Sequence, residues 1–307
     1  MSETVVIANP AAAAGRVGRT RELLQAQITE ALGPCRFVET ERAGHATTLA
    51  RDAVEKGASR VLSLGGDGTH HEVVNGLMEH RNGPRVAFGV LPAGTGGDLR
   101  RTLGVMTLED ALKAIKDRPV RSVDVGHARF TDDAGEEQSR WFVNLASCGM
   151  SGLVDRIVNT SSKRLGGAAS FYLGTLRAMA QYRPARVSIK ADGRDLGVHT
   201  ISLVVVGNGQ YAGGGMRFCP EAQIDDGVFD LVVVPDAGVV RSVMRTPKLY
   251  DGTIAKIPGV VTARVREVTI EMIERTAWLD LDGEAPGKGP VTFRAHAGRL
   301  RLAGAPT

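Results

Sequence analysis

The sequence predicts a two-domain protein whose first domain is an α/β fold and whose second domain is largely antiparallel β structure. At 307 residues, the chain exceeds the usual size of a single domain. In its first third, short apolar runs alternate with amphipathic stretches, whereas later apolar runs mostly follow one another across Gly or Asp turns. We place the boundary at residue 125, which predicts domains of residues 1–125 and 126–307, and the last residues can return to the first domain.

The first domain consists of strands and helices in alternation. Its predicted strands span residues 4–8, 36–39, 60–64, 86–91 and 120–125. Stretches with helical spacing of apolar residues lie between them, at residues 18–32, 45–56, 69–80 and 108–116. Repetition of strand, turn and helix is typical of a parallel sheet with helices on its faces.

The second domain is predicted to be a sandwich or an open barrel. Its predicted strands span residues 141–146, 185–191, 200–207, 228–234, 265–272, 277–281 and 291–295. Helix-like stretches are expected only between residues 152 and 182. Many short strands joined by tight turns favour an antiparallel arrangement.

Composition and charge exclude several classes of protein. A formal charge of +4 suits anionic ligands or an anionic membrane surface, but with only two Trp and four Tyr it indicates no nucleic-acid binding. The three cysteines are far apart and lack CxxC spacing, so we predict a reducing, cytoplasmic location. We find neither a signal peptide nor a long apolar run, so any membrane is expected to be met at its surface.

The strongest local signal is the run Gly65-Gly66-Asp67-Gly68-Thr69, which follows a predicted strand and begins a predicted helix. Glycines let backbone N–H groups approach phosphate oxygens, and the start of a helix adds partial positive charge. Asp67 can also bind magnesium. Taken alone, this run is equally consistent with a tight structural turn in which Asp67 caps the helix.

Two further segments of small residues follow predicted strands. One runs from Pro92 to Asp98 and contains three glycines, and the other runs from Asn9 to Gly15. The carboxyl ends of parallel strands meet at one edge of a sheet, where open α/β folds bind ligands. The sequence therefore predicts a single anion-binding crevice built from three turns.

In this order, these motifs resemble those of the diacylglycerol kinase catalytic-domain family, which includes sphingosine and ceramide kinases and bacterial lipid kinases. The resemblance continues through residues 143–149, 213–216, 225–230 and 281–284, and so spans nearly the whole chain. It implies a Rossmann-like nucleotide-binding domain followed by an antiparallel β-sandwich, as in NAD kinases and diacylglycerol kinases, with the site in the cleft between them. It also implies ATP and Mg²⁺ as cofactors.

The resemblance assigns roles to residues of the glycine turns. Contacts to the nucleotide would come from Asn9, Gly65, Gly66, Gly68, Thr69, Gly94, Thr95 and Asp98, while Asp67 would help to place magnesium. The chain departs from the family at Gly97, where an Asn is usual, and near Ala12-Ala13, where Ser-Gly is common. At both positions we therefore expect the nucleotide to be bound through backbone groups.

Phosphoryl transfer to a hydroxyl also needs a carboxylate that positions the acceptor or takes its proton. By resemblance, Asp282 is predicted to accept that proton, and Glu284 to act in the magnesium–water network. An isolated Asp-Gly-Glu turn would be more consistent with a solvated loop. Its place after the other motifs favours the catalytic interpretation.

An acidic group near residue 227 and two adjacent histidines are further candidates for metal binding. Asp225, Asp226 and Asp230 suit a hard cation such as magnesium, and a plain turn before the next strand is the main alternative. His70 and His71 lack the spacing of two ligands on one helical face, so we interpret them as residues of the first helical turn.

A basic stretch at residues 156–190 contains seven Arg or Lys residues interleaved with apolar ones and no acidic residue between Arg156 and Lys190. It suits peripheral contact with anionic lipid, but also a helix packed on the sandwich with a solvated face.

The sequence as a whole predicts an ATP-dependent lipid kinase of phospholipid biosynthesis, cytoplasmic and peripheral at the inner membrane face. The alternatives are an NAD kinase-like enzyme with a soluble substrate and a non-catalytic nucleotide- or lipid-binding relative. The presence of Asp67, Asp282 and Glu284 favours catalysis. Neither the acceptor lipid nor the oligomeric state, including a homodimer, is indicated by the residues.

Overall fold

The structure is a computed structural model that describes residues 3–93, 97–160, 177–178 and 181–306. The chain divides into two compact units. The first unit contains residues 1–125, 224–226 and 296–307, and the second contains residues 126–223 and 227–295. The polypeptide therefore leaves the first unit after Val125, returns to it briefly at Ile224, and ends in it.

The first unit is built on a parallel sheet. Strands β1 (Glu3–Ala8), β2 (Arg36–Glu39), β3 (Ala58–Gly65) and β4 (Ala87–Pro92) pair in the order β2-β1-β3-β4. The last residues of the chain add a parallel pairing, with Arg301 and Leu302 opposite Ala87 and Phe88 of β4. Strands β1 and β4 are built from apolar runs because both of their faces are buried.

Helices follow the strands of the first unit. They are α1 (Ala12–Arg19), α2 (Arg21–Leu32), α3 (His45–Glu55), α4 (Asp67–Glu79), α5 (Leu99–Leu103) and α6 (Leu108–Asp117), with a short 3₁₀ helix at Gly83–Arg85. The start of α6 is fixed by a capping box between Thr107 and Asp110. Helices α3 and α4 approach closely at Gly76, where a Cβ atom would lie 2.3 Å from the carbonyl oxygen of Thr47.

Antiparallel strands dominate the second unit. After β5 (Arg121–Thr131), which begins in the first unit, come β6 (Glu137–Phe142), β7 (Leu145–Gly149), α7 (Met150–Thr160), β8 (Ala185–Ala191), β9 (Arg194–Gly207), β10 (Tyr211–Ala212), β11 (Met216–Arg217), β12 (Phe229–Pro235), α8 (Gly238–Tyr250), a 3₁₀ helix (Ile254–Lys256), β13 (Val261–Val265), β14 (Glu267–Glu274), β15 (Trp278–Leu281) and β16 (Lys288–Leu302). Strand β9 is central because it pairs with β7, β8 and β12.

Aromatic packing marks the core of the second unit. The Phe142 and Phe229 rings stack with centroids 5.4 Å apart, and Phe293 meets Phe142 edge-on at 6.0 Å. Gly126 makes room for this group, because a Cβ atom there would lie 2.0 Å from the Phe142 ring. The alternation of buried and exposed residues along β8 buries one face of that strand in the same core.

The fold class predicted from the sequence is confirmed, but individual elements differ. Helix α8 was not predicted from the sequence, because its valines, serine, threonine and internal Pro247 are poor helix formers. The predicted strand at residues 141–146 is two strands, β6 and β7, separated at Val143-Asn144. The predicted helix at residues 18–32 is preceded by α1, which is kinked at Ala13 and Ala14, where φ is positive.

No helix among the described residues is long and apolar enough to cross a membrane.

Candidate functional site

The first glycine turn joins β3 to α4 in the first unit. Gly66 is the extended residue that precedes the helix, and Asp67 is its first residue. Gly65 lies so close to the helix that a Cβ atom there would be 2.5 Å from the Thr69 hydroxyl oxygen. The N–H groups of the first helical turn have no acceptor within the helix, and together with the helix dipole they suit an anionic ligand.

Asn9 connects the end of β1 to this turn. Its side-chain NH₂ group donates to the Thr69 hydroxyl at 3.1 Å, and its side-chain oxygen Oδ1 accepts from the N–H of Ala11 at 3.0 Å. The backbone N–H of Asn9 donates to the carbonyl of Leu64, the residue before the glycines. Asn9, Gly65, Gly66, Gly68 and Thr69 are therefore brought together, as the sequence predicts.

Asp67 ties the first glycine turn to the second. Its carboxylate accepts the N–H of Asp98 at 2.8 Å and that of Leu99 at 3.4 Å. Asp98 precedes α5 and is buried. Gly94 and Thr95, the other predicted residues of this turn, lie outside the described residues.

The backbone at Gly97 explains one departure from the family pattern. Its φ of +120° lies in the region that residues with a side chain rarely adopt. A Cβ atom at Gly97 would also touch the Arg100 side chain at 3.5 Å and the Asp67 carboxylate at 3.6 Å. An Asn at this position would therefore require a different path of the turn.

A cavity of about 440 Å³ lies beside the end of β4 in the first unit. Its lining includes the charged side chains of Arg16 and Arg100 and the apolar side chains of Val17, Leu24 and Met106. Arg100 is buried and donates to the carbonyl of Met106 at 2.8 Å. Burial, followed by the nearby charge of Arg101, lowers the pKa of Arg100, while Asp67 and Asp98 oppose that shift.

The Asp-Gly-Glu turn follows β15 in the second unit. Asp282 adopts a positive φ of +53°, and its buried carboxylate accepts the N–H groups of Val143 and Asn144 at 2.9 Å and of Leu145 at 3.0 Å. These contacts also explain the break between β6 and β7. Because both oxygens accept backbone hydrogens, Asp282 has a structural role, and its predicted role as proton acceptor stays a prediction from the sequence.

Glu284 differs from Asp282 in that its side chain is exposed. Its backbone closes the turn through reciprocal bonds with Leu281 of 2.8 Å and 3.0 Å. The turn therefore presents Glu284 at the surface of the second unit.

A pair of carboxyl groups that the sequence analysis missed lies beneath this turn. Asp155 of α7 and Asp280 of β15 share a hydrogen bond. Asp280 also accepts the N–H of Gly283 at 2.8 Å and the Ser147 hydroxyl at 3.1 Å. The two carboxyl groups are 125 positions apart in the sequence, so only the paired strands β7 and β15 and the adjacent helix α7 reveal them.

Burial controls the protonation of this pair. It raises the pKa of Asp280 to about 6, against the opposing hydrogen bonds from Gly283 and Ser147. Burial, together with the charges of Asp280 and Glu284, holds the pKa of Asp155 well above its ordinary value. A hydrogen bond between two carboxyl groups requires a proton on one of them, so the pair carries less than two negative charges.

The structure does not gather the predicted metal ligands into one group. The Asp225 carboxylate accepts from Arg121 at 2.8 Å in the first unit, and Asp230 on β12 lies 3.8 Å from Arg264 in the second. The described residues contain no group of three or more His, Cys, Asp or Glu that could hold a metal ion. Metal binding by Asp225, Asp226 and Asp230 stays a prediction from the sequence.

His70 and His71 are buried residues of α4, as interpreted from the sequence. His70 pairs with the Ser63 hydroxyl at 2.8 Å and His71 with the Asn75 amide at 3.2 Å. Each buried imidazole therefore has a hydrogen-bond partner within the protein, and no metal is needed to explain its burial.

Much of the basic stretch at residues 156–190 lies outside the described residues, including Lys163 and Arg164. Arg156 pairs with Asp133 at 2.8 Å and stacks over the Trp278 ring at 4.0 Å, and Arg186 pairs with Glu274 at 3.4 Å. Two of its described cations are therefore engaged within the protein.

Two family profiles match the chain. The profile described as the diacylglycerol kinase catalytic domain matches residues 3–128. The profile described as the YegS C-terminal NAD kinase beta sandwich-like domain matches residues 144–304.

Individual relatives are similar over most of their length. A diacylglycerol kinase of Bacillus subtilis (strain 168) is 30% identical over 280 residues, which are 89% of this chain and 89% of that protein. A YegS-like protein of Chromohalobacter salexigens is 37% identical over 80% of this chain and 76% of its own length. The crystal structure of a diacylglycerol kinase from Bacillus anthracis str. Sterne has a TM-score of 0.71 at 23% identity, covering 98% of this chain and 96% of that chain, which shows a shared fold.

Proposed function

Because the chain belongs to the diacylglycerol kinase catalytic-domain family, we propose that it is an ATP-dependent kinase that phosphorylates the primary hydroxyl of a lipid such as diacylglycerol. The observation that carries this proposal is the junction of the two glycine turns through Asp67. A tight structural turn needs no such junction, whereas a phosphate-binding surface needs both turns fixed in place.

The first unit has groups that fit a nucleotide phosphate. Gly66 is extended just before α4 with no atom within 4 Å of where a Cβ would stand, and Asn9 holds the Thr69 hydroxyl in the first turn of that helix. Magnesium bound with ATP would neutralise phosphate charge during transfer. Asp67 is the carboxylate within this turn, and it would help to hold that ion. We assign the donor-phosphate contacts to these residues.

The second unit supplies the carboxylate for the acceptor. In the proposed reaction, the lipid hydroxyl oxygen bonds to the γ-phosphorus while the bond from that phosphorus to the bridging oxygen breaks. The hydroxyl proton passes to the exposed carboxylate of Glu284 and then to water. Asp282 acts indirectly, because it holds the backbone of residues 143–145 beside the turn.

Labelled ATP and a panel of acceptors test the proposal. The panel contains diacylglycerol, a sphingoid base, ceramide, phosphatidylglycerol and NAD. We expect transfer of label to a lipid, and a Glu284→Gln variant should lower kcat by about a hundredfold to ten-thousandfold with little change in KM for ATP. A Gly65→Ala variant should instead weaken ATP binding, because its methyl group displaces Thr69.

Two results would contradict the proposal. Transfer to NAD and to none of the lipids would favour the NAD kinase-like alternative. Binding of ATP without transfer to any acceptor would favour a non-catalytic relative. Circular dichroism of both variants separates a loss of activity from a loss of fold.

A further inference from the structure

Helix α8 (Gly238–Tyr250) presents apolar side chains to solvent. The exposed fractions are 50% for Val243, 75% for Met244 and 53% for Tyr250. Positions 243, 247 and 250 follow the spacing of one helical face, and position 244 lies next to them. Pro247, at the centre of this stripe, is also exposed.

The opposite side of the helix contacts the second unit. Leu249 is partly buried against a cluster that includes Phe218, Ile254 and Ile257, and the helix lies against β11. The stripe of Val243, Met244, Pro247 and Tyr250 is the face that the described residues leave uncovered.

Cations flank that stripe on the same helix. Arg241, Arg245 and Lys248 are its only charged residues, and none is acidic. Within the described part of the chain, no carboxylate forms an ion pair with Arg241 or Arg245. Hydrogen bonds from Thr253 lower the pKa of Asp251, just beyond the helix, and the nearby charges of Lys248 and Lys256 add to that shift.

An exposed apolar stripe between cations is the pattern of helices that lie in the interface of an anionic bilayer. The apolar residues enter the boundary between headgroups and acyl chains, and the cations meet lipid phosphates. A second copy of the chain is a less suitable occupant, because an isologous contact would bring like charges together. Arg156 and Arg186 of the basic stretch, by contrast, already have carboxylate partners.

We propose that α8 is a docking surface for an anionic phospholipid bilayer, and that it delivers the second unit to an acceptor embedded in that bilayer. The second half of this proposal rests on the proposed lipid kinase function. The first half is independent of it, because binding to vesicles is measured without turnover.

Vesicle binding is the direct test. The full chain is sedimented with phosphatidylcholine vesicles and with vesicles of phosphatidylcholine and phosphatidylglycerol in equal amounts. We expect the unaltered chain to bind the anionic vesicles. Combining Arg241→Glu with Arg245→Glu should lower the affinity for these vesicles about thirtyfold. Combining Val243→Asp with Met244→Asp should lower it roughly tenfold or more.

Matched controls lie on the same unit. Val198 of β9 is 50% exposed, so Val198→Asp removes an apolar side chain of the same kind from outside the stripe. Arg129 and Arg194 are exposed, so combining Arg129→Glu with Arg194→Glu reproduces the change in net charge. Both controls should bind anionic vesicles as the unaltered chain does.

The outcomes separate the two proposals. Equal binding by the α8 variants and the controls would overturn the docking surface, and so would α8 substitutions that dissociate an oligomer in light scattering without affecting vesicle binding.

With a short-chain, water-dispersed diacylglycerol, the α8 variants should keep full activity, while activity on vesicle-embedded lipid falls in proportion to binding. If the unaltered chain phosphorylates no lipid but binds vesicles through α8, only the kinase proposal fails.

Discussion

At the scale of single residues, carboxylates in this protein bind backbone as well as carry charge. Asp67 and Asp282 were predicted as site residues from their motifs, and each accepts at least two backbone N–H groups. Sequence patterns identify such residues but not their partners. The bonds of Asp282 join positions 137 to 139 residues apart, which no local rule connects.

Replacing Asp282 with Asn should destabilise the second unit by about 2 kcal/mol or more. The amide retains one acceptor oxygen but places an NH₂ group against backbone donors, which leaves buried N–H groups without acceptors. Urea unfolding followed by circular dichroism measures the change in the free energy of unfolding. Glu284→Gln is the control and should stay within about 0.5 kcal/mol of the unaltered chain, because its side chain is exposed. Equal stability of the two variants would remove the structural role assigned to Asp282.

The carboxyl pair of Asp155 and Asp280 should make stability depend on pH. In the unfolded chain both groups titrate at about pH 4, whereas burial raises the pKa of Asp280 to about 6 and holds the pKa of Asp155 well above its ordinary value. The folded protein therefore binds more protons above pH 4, so the free energy of unfolding should fall as pH rises through about 6. Below pH 4 this contribution is fully present.

Urea unfolding at a series of pH values between 4 and 8 tests that dependence. Asp280→Asn should flatten the slope, because a neutral amide replaces a group that must otherwise lose its proton. Asp117→Asn removes an exposed carboxylate and should leave the slope unchanged. A slope of the same size in Asp280→Asn and in the unaltered chain would contradict the assignment.

At the scale of elements, the sequence predicted most strands and helices of the first unit because their apolar runs alternate with amphipathic stretches. It failed where a distant contact determines the conformation. The split between β6 and β7 depends on the Asp282 carboxylate, and the kink of α1 depends on Ala13 and Ala14 adopting a conformation that Ala rarely adopts. Helix α8 was missed because its packing on the sandwich outweighs its low helix propensity.

The contact between α3 and α4 gives an element-scale prediction. Ala is the better helix former at Gly76 by about 1 kcal/mol, but its Cβ atom would lie 2.3 Å from the Thr47 carbonyl oxygen and 2.8 Å from the Ala50 Cβ. Overpacking of this kind typically costs about 1–3 kcal/mol, so Gly76→Ala should destabilise the protein. Gln27→Ala on the exposed face of α2 is the control, and thermal unfolding is the measurement. Stabilisation by Gly76→Ala would mean that the helices can separate without penalty.

At the scale of the whole molecule, the predicted combination of an α/β part and an antiparallel part is confirmed. The short return of residues 224–226 to the first unit lies beyond what hydrophobic patterning can predict. It depends on the backbone N–H of Asp124, which donates to the carbonyl of Ile224 at 2.7 Å, and on the ion pair of Arg121 with Asp225. Such contacts connect segments about a hundred residues apart and leave no periodic pattern in the sequence.

The end of the chain should be essential to the first unit, although it lies farthest in sequence from the glycine turns. Leu300 and Leu302 are buried, Ala303 donates to the carbonyl of Phe88, and Gly298 donates to the Asp124 carboxylate. Removing residues 296–307 uncovers β4 and the apolar surface beneath these leucines. Loss of the two buried leucines alone should lower the free energy of unfolding by about 4 kcal/mol or more. This is a large part of the roughly 5–15 kcal/mol that stabilises typical domains.

We therefore expect the chain truncated after Ala295 to lose the thermal stabilisation by ATP that the intact first unit should show, since ligand binding requires the folded state. Differential scanning fluorimetry with and without ATP measures it. Leu302→Ala gives a graded form of the same lesion, and Leu23→Ala, at a side chain that is 68% exposed, is its control. An ATP-induced shift that survives truncation would show that the four strands β2-β1-β3-β4 form the binding unit without the fifth.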